Sequence, residues 1–206
     1  TVETLGSANV ICVDKTGTIT ENKMSLAQWY TFSDDTIGSN DNGNRNLKKE
    51  LNPEEQELLS LSMWASEPIP FDGMEIALHE AYSKLENKDE RPNFKMVHEY
   101  PLGGKPPMMT HIFENQTGTR IIAAKGAPEA IMACSNLSAT DIQQINKAVE
   151  SMSEKGFRVL GVGVSEFNGN DFPQTQQEFA FVFKGLVAFY DPPKENIKTV
   201  FDAFYH

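Results

Sequence analysis

The stretch that decides how this chain is organised is "VICVDKTGTITENKM", residues 10–24. Residues 8–13 read as a strand buried on both faces, because Val10, Ile11, Cys12 and Val13 form an unbroken apolar run. The run stops at Asp14 and Lys15. A second such run, within "FAFVFKGLVAF" (179–189), closes on Asp191. Buried-type strands near both ends, each followed by an aspartate, enclose a body of mixed character. That is the pattern of one domain inserted into the chain of another. It predicts a first stub at 1–25, an inserted domain at 26–182 and a second stub at 183–206.

The body alternates between two periods. "LAQWYTF" (26–32) reads as a strand, and "SDDTIGSNDNGNRN" (33–46) as an exposed loop. Asn52, Pro53 and Glu55 have the spacing of a capping box with proline in the first turn, so a helix starts there. Met74, Ala77, Leu78, Ala81 and Leu85 share one face of a second helix. Strands follow near 94–100, 108–113 and 119–124, then a short helix from Pro128. A longer helix over about 139–155 turns Ile142, Ile145, Val149 and Met152 inward and stops at Gly156. "RVLGVGV" (158–164) and 179–189 read as strands, and "DPPKENIKTVFDAF" begins a last helix. No internal repeat is present. The fold class is α+β: a twisted antiparallel sheet flanked by helices, with partial strands of a second domain at both termini.

Composition narrows the partners. With 29 Asp plus Glu against 18 Lys plus Arg, the net charge is −11, which opposes a nucleic-acid or anionic-membrane surface. A local cluster can still bind a phosphorylated ligand. No apolar run approaches the ~18–20 residues of a membrane helix, and "TVETLGSANV" does not read as a signal peptide. Cys12 and Cys134 sit among apolar neighbours, which predicts free buried thiols and a reducing compartment.

In α/β sheets, ligands gather at the carboxyl ends of strands. A carboxylate placed there can attack phosphorus and form an aspartyl-phosphate. Around Asp14, Gly17 permits a tight turn, Thr16 and Thr18 offer hydroxyls to phosphate oxygens, and Lys15 offsets charge. The plainer alternative is a strand followed by an Asp-initiated turn.

The longer string separates the two readings. "DKTGTITENKM" resembles the phosphorylation signature of P-type ATPases, ion pumps that cycle through an aspartyl-phosphate. "KGAPEAIMAC" (125–134) resembles that family's nucleotide-binding motif. "GLVAFYDPPKENI" (185–197) is similar to its Asp-Pro-Pro-Arg hinge, with Lys194 in place of arginine. "DGMEIAL" (72–78) and "GFRVLGVG" (156–163) are similar to further segments of the nucleotide domain, so the resemblance runs the length of the chain. It implies a nucleotide-binding domain inserted into a haloacid-dehalogenase-type phosphorylation domain. The Thr-Gly-Asp-Gly loop that supplies further Mg²⁺ ligands in the family has no counterpart in this sequence. "NGND" (168–171) reads as a surface turn.

By this resemblance Asp14 is the phosphoryl acceptor, with Lys15 and Thr16 beside it, and Asp14 and Thr16 would hold Mg²⁺ together with the missing loop. Lys125 and Gly126 would line the ATP pocket, Glu75 would meet the adenine side, and Arg158 would reach the phosphates. Each has a plainer reading: a strand-end lysine, an acid favouring its helix dipole, a structural ion pair. Asp191 would contact ribose or steer the hinge, or else cap the following helix. Leu102 stands where the family carries an adenine-stacking aromatic, and Lys105 lies two residues before the family's lysine. Either Leu102 covers the purine or Tyr100 supplies a ring. The expectation is weak ATP binding, since leucine cannot stack on a base, and no turnover, since the second set of carboxylates is missing.

The implied partners are ATP, Mg²⁺ and the phosphorylation, actuator and membrane domains of the same pump, on the cytoplasmic side of a bacterial plasma membrane. No His-Pro pair occurs, which points to the calcium or sodium/potassium-type branch over the heavy-metal branch. A free-standing dehalogenase-class phosphatase is one rival, although Thr16 stands where it would carry a second acid. An acidic interaction domain without catalysis is the other.

Overall fold

The computed structural model describes residues 10, 12–40, 51–85, 89–169 and 171–205. The chain divides into two compact units. One is Ser25–Tyr190; the other joins Thr1–Met24 to Asp191–His206. The second boundary lies later than residue 182 because the strand Val182–Tyr190 is an inner strand of the larger unit's sheet.

The larger unit is built on strands β1 (Ser25–Thr31), β2 (Thr36–Ser39), β3 (Phe94–Gly103), β4 (Met108–Asn115), β5 (Arg120–Gly126), β6 (Arg158–Ser165) and β7 (Val182–Tyr190). They form one sheet in the order β2-β1-β7-β6-β5-β4-β3, and every neighbouring pair is antiparallel. Helices α1 (Pro53–Trp64) and α2 (Gly73–Leu85) pack together against one face. Helices α3 (Pro128–Ala133) and α4 (Ala139–Ser153) pack on the other. Strand alternation sorts the side chains between these layers. Tyr30, Tyr100, Met108, Ile112, Ile122 and Leu186 join Ile131, Ile145 and Met152 in the α3–α4 core. Trp29, Phe113 and Lys125 turn toward α1 and α2, where they meet Glu55, Trp64 and Ser66.

The start of α1 shows how a local signal becomes tertiary structure. Asn52 Oδ1 accepts from Glu55 N at 2.8 Å, and Glu55 Oε2 accepts from Asn52 N at 3.0 Å. The other carboxylate oxygen of Glu55 accepts from Trp29 Nε1 at 2.7 Å, tying the capping box to β1. Strand β2, which lies within the stretch expected to be an exposed loop, crosses over this contact at Gly38. A Cβ there would lie 2.2 Å from Trp29 Nε1 and 2.6 Å from Glu55 Oε1. Residues 41–46 of that loop lie outside the described residues. In α4, Ser138 and Asp141 form a second capping box, and Gly156 adopts φ +78° beyond the helix end. The inward stripe is Ile145, Ala148 and Met152; Ile142, in the first turn, is exposed.

In the smaller unit Asp14 precedes a π-helical turn, Lys15–Ile19, and α5 spans Ile197–Tyr205. At residues 10, 12 and 13 the expected buried strand is not seen; its residues 8, 9 and 11 lie outside the described residues. Val10 is 80% exposed and Val13 46%, and Cys12 is exposed rather than buried. The physical reason is the lack of a sheet. Among the described residues of this unit the only strand-type pairing is the single bridge Thr20–Pro193. Cys134, in the larger unit, is partly buried, and burial pushes its thiol pKa up.

Candidate functional site

Lys125, near the end of β5, projects toward the turn between α1 and α2. Its Nζ donates to Glu75 Oε1 and to Ser66 Oγ, each at 2.6 Å. Lys125 is 4% exposed and Glu75 5%, so this ion pair is shielded from water. Burial pushes the lysine pKa down, and the hydrogen bond and charge of Glu75 oppose that. Glu75 Oε1 also accepts from Glu67 N at 3.3 Å, whereas Glu75 Oε2 is buried with no hydrogen-bond partner. Asp72 Oδ1 accepts from Met74 N at 2.8 Å and fixes the start of α2, and so the position of Glu75.

These residues line a cavity of about 490 Å³. Met74, Pro101, Leu102, Met109 and Leu160 supply apolar walls, and Phe71 stands beside them, 83% exposed. Four carboxylates, from Glu67, Asp72, Glu75 and Glu99, line it against the one ammonium of Lys125. Gly126 is also in the lining. Its need for glycine is set by packing, because a Cβ would lie 2.5 Å from both Met108 Cα and Pro107 O.

The structure therefore brings together Glu75, Lys125, Gly126 and Leu102. Lys105 sits in the exposed β3–β4 turn and Arg158 is exposed at the start of β6; neither lines the cavity. Tyr100 does not supply a ring. It points into the opposite layer, where its hydroxyl donates to Pro173 O at 2.5 Å. Leu160, Phe71 and Ser66 were missed. Leu160 was findable, since it lies two positions after Arg158 on one strand and so shares its face. Ser66 carries no sequence signal.

Asp14, Lys15, Thr16 and Asp191 belong to the smaller unit. Asp191 Oδ2 accepts from Thr20 Oγ1 at 2.6 Å, and Oδ1 accepts from Lys23 N at 3.0 Å. It does not cap α5, which starts only at Ile197. Lys194 Nζ donates to Gly17 O at 2.9 Å, and Lys194 N donates to Ile19 O at 2.9 Å. The DKTGT and DPPK stretches are thus bonded to each other.

Residues 72–196 match the family model described as P-type ATPase, cytoplasmic domain N. The chain belongs to the P-type ATPase family. It is similar to calcium-transporting ATPase 1 of Saccharomyces cerevisiae, 30% identical over 229 residues, covering 96% of this chain and 24% of the relative. Calcium-transporting ATPase 1 of Bacillus cereus is 29% identical over 209 residues, covering 96% of this chain and 23% of the relative. A probable cation-transporting P-type ATPase of Mycoplasma genitalium is 26% identical over 210 residues, covering 96% and 21%. The chain spans about a quarter of the length of these P-type ATPases. Among the described residues no helix is long and apolar enough to cross a membrane.

Proposed function

We propose that the larger unit of this P-type ATPase chain binds ATP in the Lys125–Glu75 cavity. In the whole pump Asp14 would accept the phosphoryl group, and the cycle would move a cation across a membrane. One observation carries the binding reading: Glu75, whose Oε2 is a buried acceptor without a partner, lines a cavity with apolar walls. A purine amino group is a donor of matching kind, and a flat base fits between Leu102, Met109 and Leu160. A buried acceptor left empty costs about 1–3 kcal/mol, so a ligand that fills it gains that much.

The lining supports one orientation of the nucleotide. Four carboxylates repel a triphosphate, and Lys125 is already neutralised by Glu75. The base belongs inside and the phosphates outside. Affinity is then weak, in the high-micromolar to millimolar range, about −4 to −6 kcal/mol.

Asp14 and Thr16 would hold Mg²⁺ only together with the family's Thr-Gly-Asp-Gly loop, which has no counterpart in this sequence. Among the described residues no group of three or more His, Cys, Asp or Glu ligand atoms includes Asp14. We therefore expect no ATP turnover by this chain above that of its Asp14→Asn variant.

Titration with ATP and with adenosine, followed by amide shifts, tests the site. Saturable shifts at Glu75, Leu102 and Lys125, of similar affinity for both ligands, are expected. Leu102→Phe should tighten binding about tenfold, since base stacking on an aromatic contributes about 1–3 kcal/mol. No saturable shift at these residues up to solubility would overturn the binding reading, and a sub-micromolar dissociation constant the account of its weakness.

A further inference from the structure

A second group of side chains on the same sheet face is left unexplained by nucleotide binding. His111 lies on β4, wholly buried. Its Nδ1 is 2.9 Å from Ser66 O, a carbonyl that can only accept, so Nδ1 carries the ring proton. Nε2 then presents a lone pair, and it has no hydrogen-bond partner. The Glu67 carboxylate faces it, with Oε1 at 3.8 Å. Glu99 completes the group: ligand atoms of Glu67, Glu99 and His111 all lie within 4.8 Å of one another.

An imidazole lone pair facing two carboxylates is repulsive unless a cation lies among them. A proton on Nε2 is the other way out, but Nε2 has no acceptor within hydrogen-bond distance. The 3.8 Å separation is too long for a hydrogen bond. We propose that Glu67, Glu99 and His111 form a binding site for a divalent transition-metal ion of the zinc class.

Three features suit that class. One neutral imidazole with two carboxylates is a nitrogen–oxygen donor set that favours zinc-like ions, whereas Mg²⁺ and Ca²⁺ prefer oxygen alone. The Nδ1–H bond to a backbone carbonyl is the outer contact that fixes a metal-binding histidine in the correct tautomer. Glu99 and His111 are directly paired across β3 and β4, so the sheet sets their spacing. Zinc–ligand distances of about 2.0–2.2 Å require the group to close by roughly 1 Å, which the Glu67 side chain, 26% exposed on the turn after α1, can supply by rotation. Three protein ligands leave a fourth position open. Glu67 and Glu99 line the cavity, so that position is accessible to water or a small ligand. The proposal does not depend on nucleotide binding.

The test is calorimetric titration of the chain with Zn²⁺, without nucleotide, in a Cys12→Ser background that removes the exposed thiol. One ion bound per chain with a micromolar dissociation constant is expected, undisturbed by 10 mM Mg²⁺. Glu99→Gln and Glu67→Gln keep side-chain shape and should each weaken binding at least tenfold, with amide shifts showing the fold intact. The His111 Nε2 resonance should move in step with saturation. Absence of binding at sub-millimolar Zn²⁺, or equal binding by Glu99→Gln and the parent, overturns the proposal.

Discussion

Lys125 and Asp14 each follow an apolar run and carry a family motif, yet the two are held in opposite ways. Lys125 ends a strand paired on both sides, is nearly excluded from water, and has its charge matched by Glu75 at 2.6 Å. Asp14 is exposed beside a single π-helical turn. The sheet positions the first group; the second is positioned only by bonds between the two tail segments, such as Thr20 to Asp191. A strand-like sequence therefore yields a strand only where neighbours exist to pair with it. The ladder hydrogen bonds and the burial come from those neighbours, and Val10, Cys12 and Val13 find none among the described residues of their unit.

The sharpest way to break this contrast is substitution of the two charged groups. Lys125→Ala leaves the Glu75 carboxylate buried without a cation, which costs about 3–5 kcal/mol. Asp14→Asn should change stability by less than about 0.5 kcal/mol, as surface changes do. Urea unfolding followed by Trp29 and Trp64 fluorescence measures the first, and amide exchange at Gly17 and Lys23 the second. Equal effects would show that the ion pair is not held as described. The double variant Lys125→Met/Glu75→Gln removes both charges and should recover most of the loss.

A pH test sharpens the same contrast in the other layer of the sheet. Burial, helped by the hydrogen bond to Asp35, pushes Tyr30 up to about 12 from 10.0. A phenol raised in the folded state contributes stability that is fully present below pH 10 and lost as pH rises toward 12. In that window the unfolded chain ionises and the folded one does not. The loss is at most about 1.4 kcal/mol per pH unit. Tyr30→Phe should flatten this part of the stability profile relative to the parent, and an unchanged slope would contradict the burial of the phenol. Next in size is Trp29→Phe, which strands a buried Glu55 oxygen and should cost about 1–3 kcal/mol. That loss should appear in the same unfolding curve.

The Asn52–Glu55 box, the 3.6-residue stripe of α2 and the alternating strands were legible because each is a local pattern with one cause. Lys125, Glu75 and Leu102 were legible as a group through the motifs that carry them, and the structure places all three at one cavity. What sequence could not show depends on contacts between distant segments. Gly38 looks like loop glycine until Trp29 and Glu55 lie beneath it. Asp191 looks like a helix cap until Thr20 and Lys23 claim its carboxylate. Tyr100 sits two residues from Leu102, yet Leu102 falls within the irregular pairing between Tyr100 and Gly103, so one enters the core and the other the cavity.

The smallest expected effect is the most specific to the tail unit. Thr20 is 3% exposed, and its hydroxyl donates to Asp191 Oδ2 and accepts from Gly17 N at 3.1 Å. Thr20→Val keeps the shape and removes these bonds, together with the longer contact of the hydroxyl to Lys15 O at 3.3 Å. A hydrogen bond to a charged group contributes about 1.5–3 kcal/mol, but here it closes only the contact between the two tails. The larger unit has its own core, so its unfolding midpoint should not move. The Gly17 and Lys23 amides should exchange with solvent at least tenfold faster, because the opening that exposes them is local. A lowered midpoint for the whole chain would mean that the tail unit supports the sheet. Unchanged exchange at both amides would mean that Lys194, through Gly17 O and Ile19 O, is enough to hold the turn without Thr20.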